Sequence, residues 1–190
     1  MIEIHPWPPF IPDGAKILIL GTFPPGVNRH AIDFYYPNPI NDFWRIMGLI
    51  FFGDKMALFD DNAGVFDIER IKAFLTERGI ALNDTVRRAR RLKGNASDKY
   101  LEVVESVPLY ELLGAMPHCQ TIATTGEKAA SIIAEITDTK IPRMGECTEW
   151  RQYRIWRMPS TSRAYPMRVE AKAEYYRSMF ESAGILAPNK

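Results

Sequence analysis

Apolar residues fall along this chain in two spacings. Short unbroken or alternating runs bounded by glycine, proline or charge predict strands, and longer stretches with apolar residues three and four apart predict helices. KILIL (16–20) predicts a buried strand, and IALND (80–84), CQTIATT (119–125) and YRIWRMP (153–159) predict three more. NDFWRIMGLIFF (41–52) sets Phe43, Ile46, Met47 and Ile50 on one helical face, with Asn41 placed as its N-cap. DIERIKAFLTERG (67–79) predicts an amphipathic helix stopped by Gly79, and PLYELLGAMP (108–117) predicts another. GEKAASIIAEI (126–136) predicts a helix opening directly off the third strand, and RVEAKAEYYRSMFESAG (168–184) a closing helix. Strands near 17, 81, 121 and 155 that alternate with helices predict an α/β fold. Its sheet is central, mostly parallel and four-stranded, with helices on both faces. Residues 1–14, with prolines from position 6 to 12, predict an extended arm. Without a repeat, a low-complexity tract or a long linker, residues 1–190 read as a single domain.

In a parallel sheet of this kind ligands bind at the carboxyl ends of the strands. That selects the loops 21–41, 83–99, 125–128 and 159–167. The first, GTFPPG (21–26), has the glycine spacing of a phosphate-binding loop but lacks the Lys-Ser/Thr that should follow. Pro24 and Pro25 carry no N–H to cradle a phosphate. The loop therefore suits a flat, largely apolar ligand. Gly21 and Thr22 open it, and Phe23 at its centre fits either stacking on a planar ring or core packing. FYYPNPINDFW (34–44) follows. Tyr35 and Tyr36 are candidates for stacking on bases, and Asn38 and Asn41 for reading a base edge. A turn filler and a helix cap explain the same two asparagines. In MPSTSRAYP (158–166), Ser160, Thr161, Ser162 and Arg163 fit a phosphodiester clamp or an ordinary helix start. Asp84 ends its strand where a general base would stand, and TTGEKA (124–129) is a weaker anion-site candidate.

Composition narrows the class. The hydrophobic content, 46% of 190 residues, suffices for one sizeable core, and no run of 18 apolar residues can span a membrane. The first ten residues lack the pattern of a signal peptide. Two cysteines and three histidines are too few for a four-cysteine zinc site or a cysteine-held iron–sulfur cluster, so no metal or cofactor is expected. Cys119 reads as a reduced core thiol, which favours a cytoplasmic location. The net charge is only +1, but it is unevenly spread. Residues 84–99 carry six basic side chains against two acidic ones, and residues 140–177 carry nine against four. Either a basic face for nucleic acid or ordinary solvated helix surface explains this.

Three of these stretches, in this order, are similar to motifs of the uracil-DNA glycosylase superfamily, nearest its mismatch-specific and hypoxanthine-DNA glycosylase branches. They are ILGTFPPG, PINDFW about twenty residues later, and MPSTSRA between the last strand and the last helix. The resemblance spans roughly residues 15–182. It implies a three-layer α/β/α domain that flips a damaged base from DNA and hydrolyses its N-glycosidic bond. It implies that Asn41 takes the polar catalytic role and that Tyr36 stacks on the flipped base. Gly21, Thr22, Phe23 and Asn38 would complete the base pocket, and Ser160 to Arg163 with Tyr165 would meet DNA. Arg163 and Tyr165 are also positional candidates for the wedge in the duplex. Two positions depart from the pattern: Phe23 and Met158 stand where many relatives carry polar catalytic groups.

The expected activity is a monofunctional, metal-independent DNA glycosylase acting on uracil or hypoxanthine, as a monomer, with damaged DNA as partner and no membrane. Two alternatives stay open. One is a DNA-binding module of the same fold that has lost catalysis. The other is an unrelated α/β enzyme acting on a small nucleobase ligand.

Overall fold

A computed structural model of the protein describes residues 1–92 and 98–187. Lys93, Gly94, Asn95 and Ser97, part of the basic loop named above, lie outside the described residues. In chain order the strands are β1 (Glu3–Ile4), β2 (Ile17–Gly21), β3 (Phe59–Asp60), β4 (Val65–Phe66), β5 (Ile80–Asp84), β6 (Val86–Arg91), β7 (Leu101–Ser106), β8 (Thr121–Thr125), β9 (Cys147–Trp150) and β10 (Tyr153–Met158). The helices are α1 (Phe43–Phe52), α2 (Ile68–Arg78), α3 (Leu109–Gly114), α4 (Glu127–Thr137) and α5 (Val169–Ser182).

The central sheet runs β5-β2-β8-β10-β9. Its first four strands are the four the sequence predicts, and all are parallel. β2, β5 and β8 bury both faces, as strands inside a covered parallel sheet do, while β10 mixes buried and half-buried positions. Along β2, Ile17 and Ile19 join the core beneath α1, α2 and α5, while Leu18 and Leu20 face the opposite core with α3 and α4. The result is a three-layer α/β/α domain.

The sheet has five strands rather than four. The fifth, β9, pairs antiparallel with β10 at the edge, from Tyr153 opposite Trp150 to Trp156 opposite Cys147. Its residues are mostly exposed and polar, so no apolar run marks it. The stretch 86–91, expected within a loop, is also a strand. It forms a second sheet ordered β1-β6-β7, in which Val86 and Ala89 bury against Leu101 and Ile132 while arginines fill the other positions. The amino-terminal arm is extended, as expected, and is tied down twice. β1 pairs with β6, and Phe10 exchanges two backbone hydrogen bonds with Leu82 of 3.0 and 2.9 Å. The second contact covers the exposed edge of β5. Helix α1 begins at Phe43, so Asp42 rather than Asn41 holds the N-cap position. Among the described residues no helix is long and apolar enough to cross a membrane.

Candidate active site

The cleft forms where the carboxyl ends of β2, β5, β8 and β10 meet their loops. It has a volume of about 250 Å³. Its floor is the pairing of Gly21 with Asp84 across β2 and β5. A Cβ at position 21 would collide with Asp84 Oδ1 and come within 3.2 Å of the Tyr36 hydroxyl. The glycine is there to admit the carboxylate, since its own φ is unexceptional. Thr22 is buried, and its carbonyl accepts from Val86 N at 3.1 Å, which fixes the turn against β6. Phe23 lines the cleft and also packs on the second sheet, with His5 edge-on at a ring distance of 5.8 Å and the Arg91 guanidinium 5.6 Å from its centroid.

One wall is built almost wholly by FYYPNPINDFW. Tyr36 adopts φ +52°, unusual for a bulky side chain. That turn lays its ring on Phe43, with centroids 3.7 Å apart and planes 12° from parallel. Its hydroxyl meets Thr125 Oγ1 at 3.2 Å. Burial, and then the nearby Asp84 charge, push the Tyr36 hydroxyl far above its ordinary pKa, so it stays a neutral phenol. Trp44 is fully buried and donates Nε1–H to the Tyr35 carbonyl at 3.1 Å, which anchors the turn from below. Tyr35, expected as a stacking ring, is core instead. It is 1% exposed, and its hydroxyl meets Pro8 O and Asn83 Oδ1, each at 3.0 Å.

Asn41 stands at the cleft beside this wall. Its Oδ1 accepts from Phe43 N at 2.9 Å, a local turn that leaves the amide N–H₂ without a partner among the described residues. Asn38 Oδ1 accepts from Ile40 N at 3.1 Å in a similar turn, also on the cleft lining. The guanidinium of Arg45 donates to the carbonyls of Pro39 and Asn41, holding the loop from α1. Burial first, and the neighbouring Arg163 charge second, lower its pKa.

The opposite wall is the loop Ser160–Ala164. It lies well before α5, so its hydroxyls do not sit at a helix start. Ser160 Oγ accepts from Ser162 N at 3.2 Å, and Ser162 Oγ from Ala164 N at 3.3 Å. Thr161 is buried, and its carbonyl accepts from Asp42 N at 2.9 Å. Arg163 Nε donates to Asp42 Oδ1 at 3.0 Å, with the rest of the side chain largely exposed. Tyr165 falls outside the cleft lining and donates to Met144 Sδ at 3.3 Å. Met158 is buried in the core and does not line the cleft. The TTGEKA corner uses the Gly126 N–H on Met158 O at 3.0 Å, so that amide is spent within the fold.

Three residues at the site went unmarked in the sequence. Thr125 lines the cleft and holds Tyr36, and Arg29 stands exposed on its rim. His5 Nε2 lies 2.9 Å from Asp84 Oδ2, joining the arm to the floor of the cleft. The basic run 87–91 is largely neutralised in place: Arg87 and Arg88 pair with Glu105, Arg90 with Glu102 and Arg91 with Glu3.

The cleft is thus lined by the Asn41 amide, the Asp84 carboxylate and an aromatic wall, with exposed Arg29 and Arg163 at its mouth. No protein-family model matches the sequence. A hypoxanthine DNA glycosylase from Methanosarcina barkeri is 31% identical over 126 residues, covering 65% of this chain and 71% of that protein. The solution NMR structure of a candidate uracil DNA glycosylase from Methanosarcina acetivorans superposes with a TM-score of 0.64, covering 97% of this chain and 99% of that one at 22% identity. At that identity the likeness is one of fold.

Proposed function

Because the chain belongs to the uracil-DNA glycosylase superfamily, we propose that it excises a deaminated base, uracil or hypoxanthine, from DNA by hydrolysing the N-glycosidic bond. One observation carries this reading: Asn41, whose amide N–H₂ has no partner among the described residues, and Asp84 line the same cleft beside the Tyr36–Phe43 stack.

The chemistry has three needs. The base must leave the duplex and be held flat, which costs unstacking that aromatic contact returns. Phe23 and Tyr36 supply that contact. As the C1′–N bond breaks, its electron pair moves onto the base, and the Asn41 N–H₂ donates to the oxygen where that charge collects. The sugar becomes cationic, and the Asp84 carboxylate stabilises it while taking a proton from the water that adds to C1′. The departing base acquires its proton from solvent. Among the described residues no lysine lines the cleft, and the reading takes water rather than an amine as the nucleophile. In this reading the enzyme works as a monomer, without a metal, in the cytoplasm.

The test uses labelled duplexes and single strands that each carry one uracil, hypoxanthine or xanthine, followed by alkali and in the presence of a chelator. Strand cleavage at one lesion is expected. Asn41→Ala is expected to slow single-turnover release by about 10²–10³-fold, the range for losing one donor to a developing anion, while DNA affinity holds. Intact strands for every lesion, with salt-dependent DNA binding retained, would instead favour a binding module that has lost catalysis.

A further inference from the structure

We propose that His5 is a positioning residue: it fixes the Asp84 carboxylate so that only Oδ1 faces the cleft. This rests on the role given to Asp84 above. His5 follows β1, and its backbone N–H donates to Arg87 O at 2.9 Å, so the arm is held where the ring reaches Asp84. The Nε2–Oδ2 distance is 2.9 Å, and the two side chains are only 6% and 8% exposed. A carboxylate oxygen accepts, and a proton on Nε2 donates to it. Nδ1 is engaged as well, 2.9 Å from Trp7 O and 3.3 Å from Trp7 N. Trp7 and Phe23 stand edge-on to the ring, at 5.7 and 5.8 Å, and Tyr35 lies tilted at 5.5 Å. Contacts on both ring nitrogens and three neighbouring rings thus hold the imidazole in place.

The surroundings point to orientation rather than cohesion. A buried polar contact returns little net stability once both groups are desolvated. Here the pair also uses half of the carboxylate and leaves Oδ1 without a partner among the described residues, over Gly21. Other groups near Asp84 are committed elsewhere. The Tyr35 hydroxyl is on Pro8 O and Asn83, the Tyr36 hydroxyl is on Thr125, and Arg87 pairs with Glu105. Among the described residues, no arginine or lysine makes an ion pair with Asp84. Behind the pair lies a second cavity of about 450 Å³, lined in part by His5, Trp7, Asn83, Asp84, Arg87 and Glu111. Asp84 borders both spaces, and His5 lines the second one, so position 5 is approachable from a cavity other than the cleft.

That second cavity makes chemical rescue possible. His5→Phe keeps an aromatic ring and loses the donor, His5→Gln offers an amide N–H in its place, and His5→Gly leaves a gap that added imidazole can fill. With the full chain and the lesion duplex that wild-type enzyme cleaves, His5→Phe is expected to slow single-turnover release by about 10–100-fold, as is usual when the partner orienting an active group is lost. DNA affinity should hold. His5→Gln should recover most of the rate. Imidazole should restore His5→Gly in a saturable manner without accelerating wild type, and His5→Phe should add nothing to Asp84→Asn. A wild-type rate in His5→Phe would overturn the proposal while leaving the glycosylase reading intact. So would a uniform loss in all three variants, insensitive to imidazole, because that marks a purely structural role. A wild-type protein inert on every lesion would overturn the glycosylase reading, and the role of His5 with it.

Discussion

Two glycines near the cleft look alike in sequence and do different work. Gly21 has an ordinary backbone conformation, and a Cβ there would strike Asp84 Oδ1. Gly126 has φ +111° and ψ 175°, a region open essentially to glycine alone, while a Cβ there would meet Ser160 only at an ordinary 3.5 Å. Substitution separates the two causes. Gly21→Ala overpacks the floor of the cleft and should cost about 1–3 kcal/mol of stability. It should also slow base release sharply, because the atom displaced is the open carboxylate oxygen. Gly126→Ala should cost a similar 1–3 kcal/mol, roughly, through backbone strain, yet leave the single-turnover rate close to wild type once the protein is folded. Thermal melting paired with single-turnover kinetics on both variants checks this. Equal kinetic defects would mean that Gly126 also shapes the cleft. The sequence marked both residues as strand-to-turn glycines. It could not separate them, since the reason for Gly21 lies 63 residues downstream.

The elements around the cleft are held by a polar clasp rather than by apolar packing alone. Lys172 of α5 is fully buried and donates to Asp42 Oδ2 at 2.9 Å and to Ser162 O at 2.8 Å. Asp42, at the start of α1, also accepts from Arg163. One carboxylate thus joins the Asn41 loop, the Ser160–Arg163 loop and the closing helix. Lys172→Met leaves Asp42 with one partner that is half in solvent, and removing one member of a buried pair typically costs about 3–5 kcal/mol. The denaturation midpoint should fall accordingly. The double variant Asp42→Leu/Lys172→Met should be less destabilised than the sum of its singles, since it buries no orphan charge. Additive losses would show that the two residues act separately. This level of the structure was only partly legible. The four parallel strands and the main helices announce themselves through apolar runs and helical spacing, because both faces of the sheet are buried. The β6–β7 hairpin does not, because its outward positions are arginines and glutamates that satisfy one another across strands. β9 and β1 are an edge strand and a two-residue strand, stabilised by neighbours rather than by their own composition. His5 was invisible for the same reason: its partner is 79 residues away.

Across the whole molecule, two charge effects follow. Three of the eight tyrosines, Tyr35, Tyr36 and Tyr176, have hydroxyls pushed well above the ordinary value, each chiefly by burial. The native state therefore keeps three protons that the unfolded chain releases near pH 10. Their contribution is fully present below that pH and is lost above it, at about 1.4 kcal/mol per pH unit for each group. Set against a typical 5–15 kcal/mol of total stability, roughly, this places alkaline unfolding within a few pH units above 10. The part of the tyrosinate absorbance owed to these three should rise there in one cooperative step with the loss of helix. A gradual rise at constant helix content would mean that these hydroxyls titrate in the folded protein.

The second effect concerns where DNA lies. By count, the arginines of β6 are the densest basic run in the described chain, yet they face Glu102, Glu105 and Glu3. A phosphate arriving there must displace a carboxylate already in place, so its gain in affinity and in counterion release is small. Arg29 differs. It stands exposed at the mouth of the cleft with no ion pair among the described residues. In the proposed reading a phosphate flanking the flipped base passes close to that mouth, and each phosphate neutralised contributes about 0.9 to the slope of log affinity against log salt. Arg29→Ala is therefore expected to lower that slope by about 1, whatever the DNA sequence. Arg90→Ala, which removes one member of the Arg90–Glu102 pair, should leave the slope nearly unchanged. Salt titrations of wild type and both variants on one lesion duplex decide the matter. An equal drop for Arg90→Ala would mean that bound DNA exchanges with the glutamates and runs across the second sheet, away from the cleft mouth as well as over it.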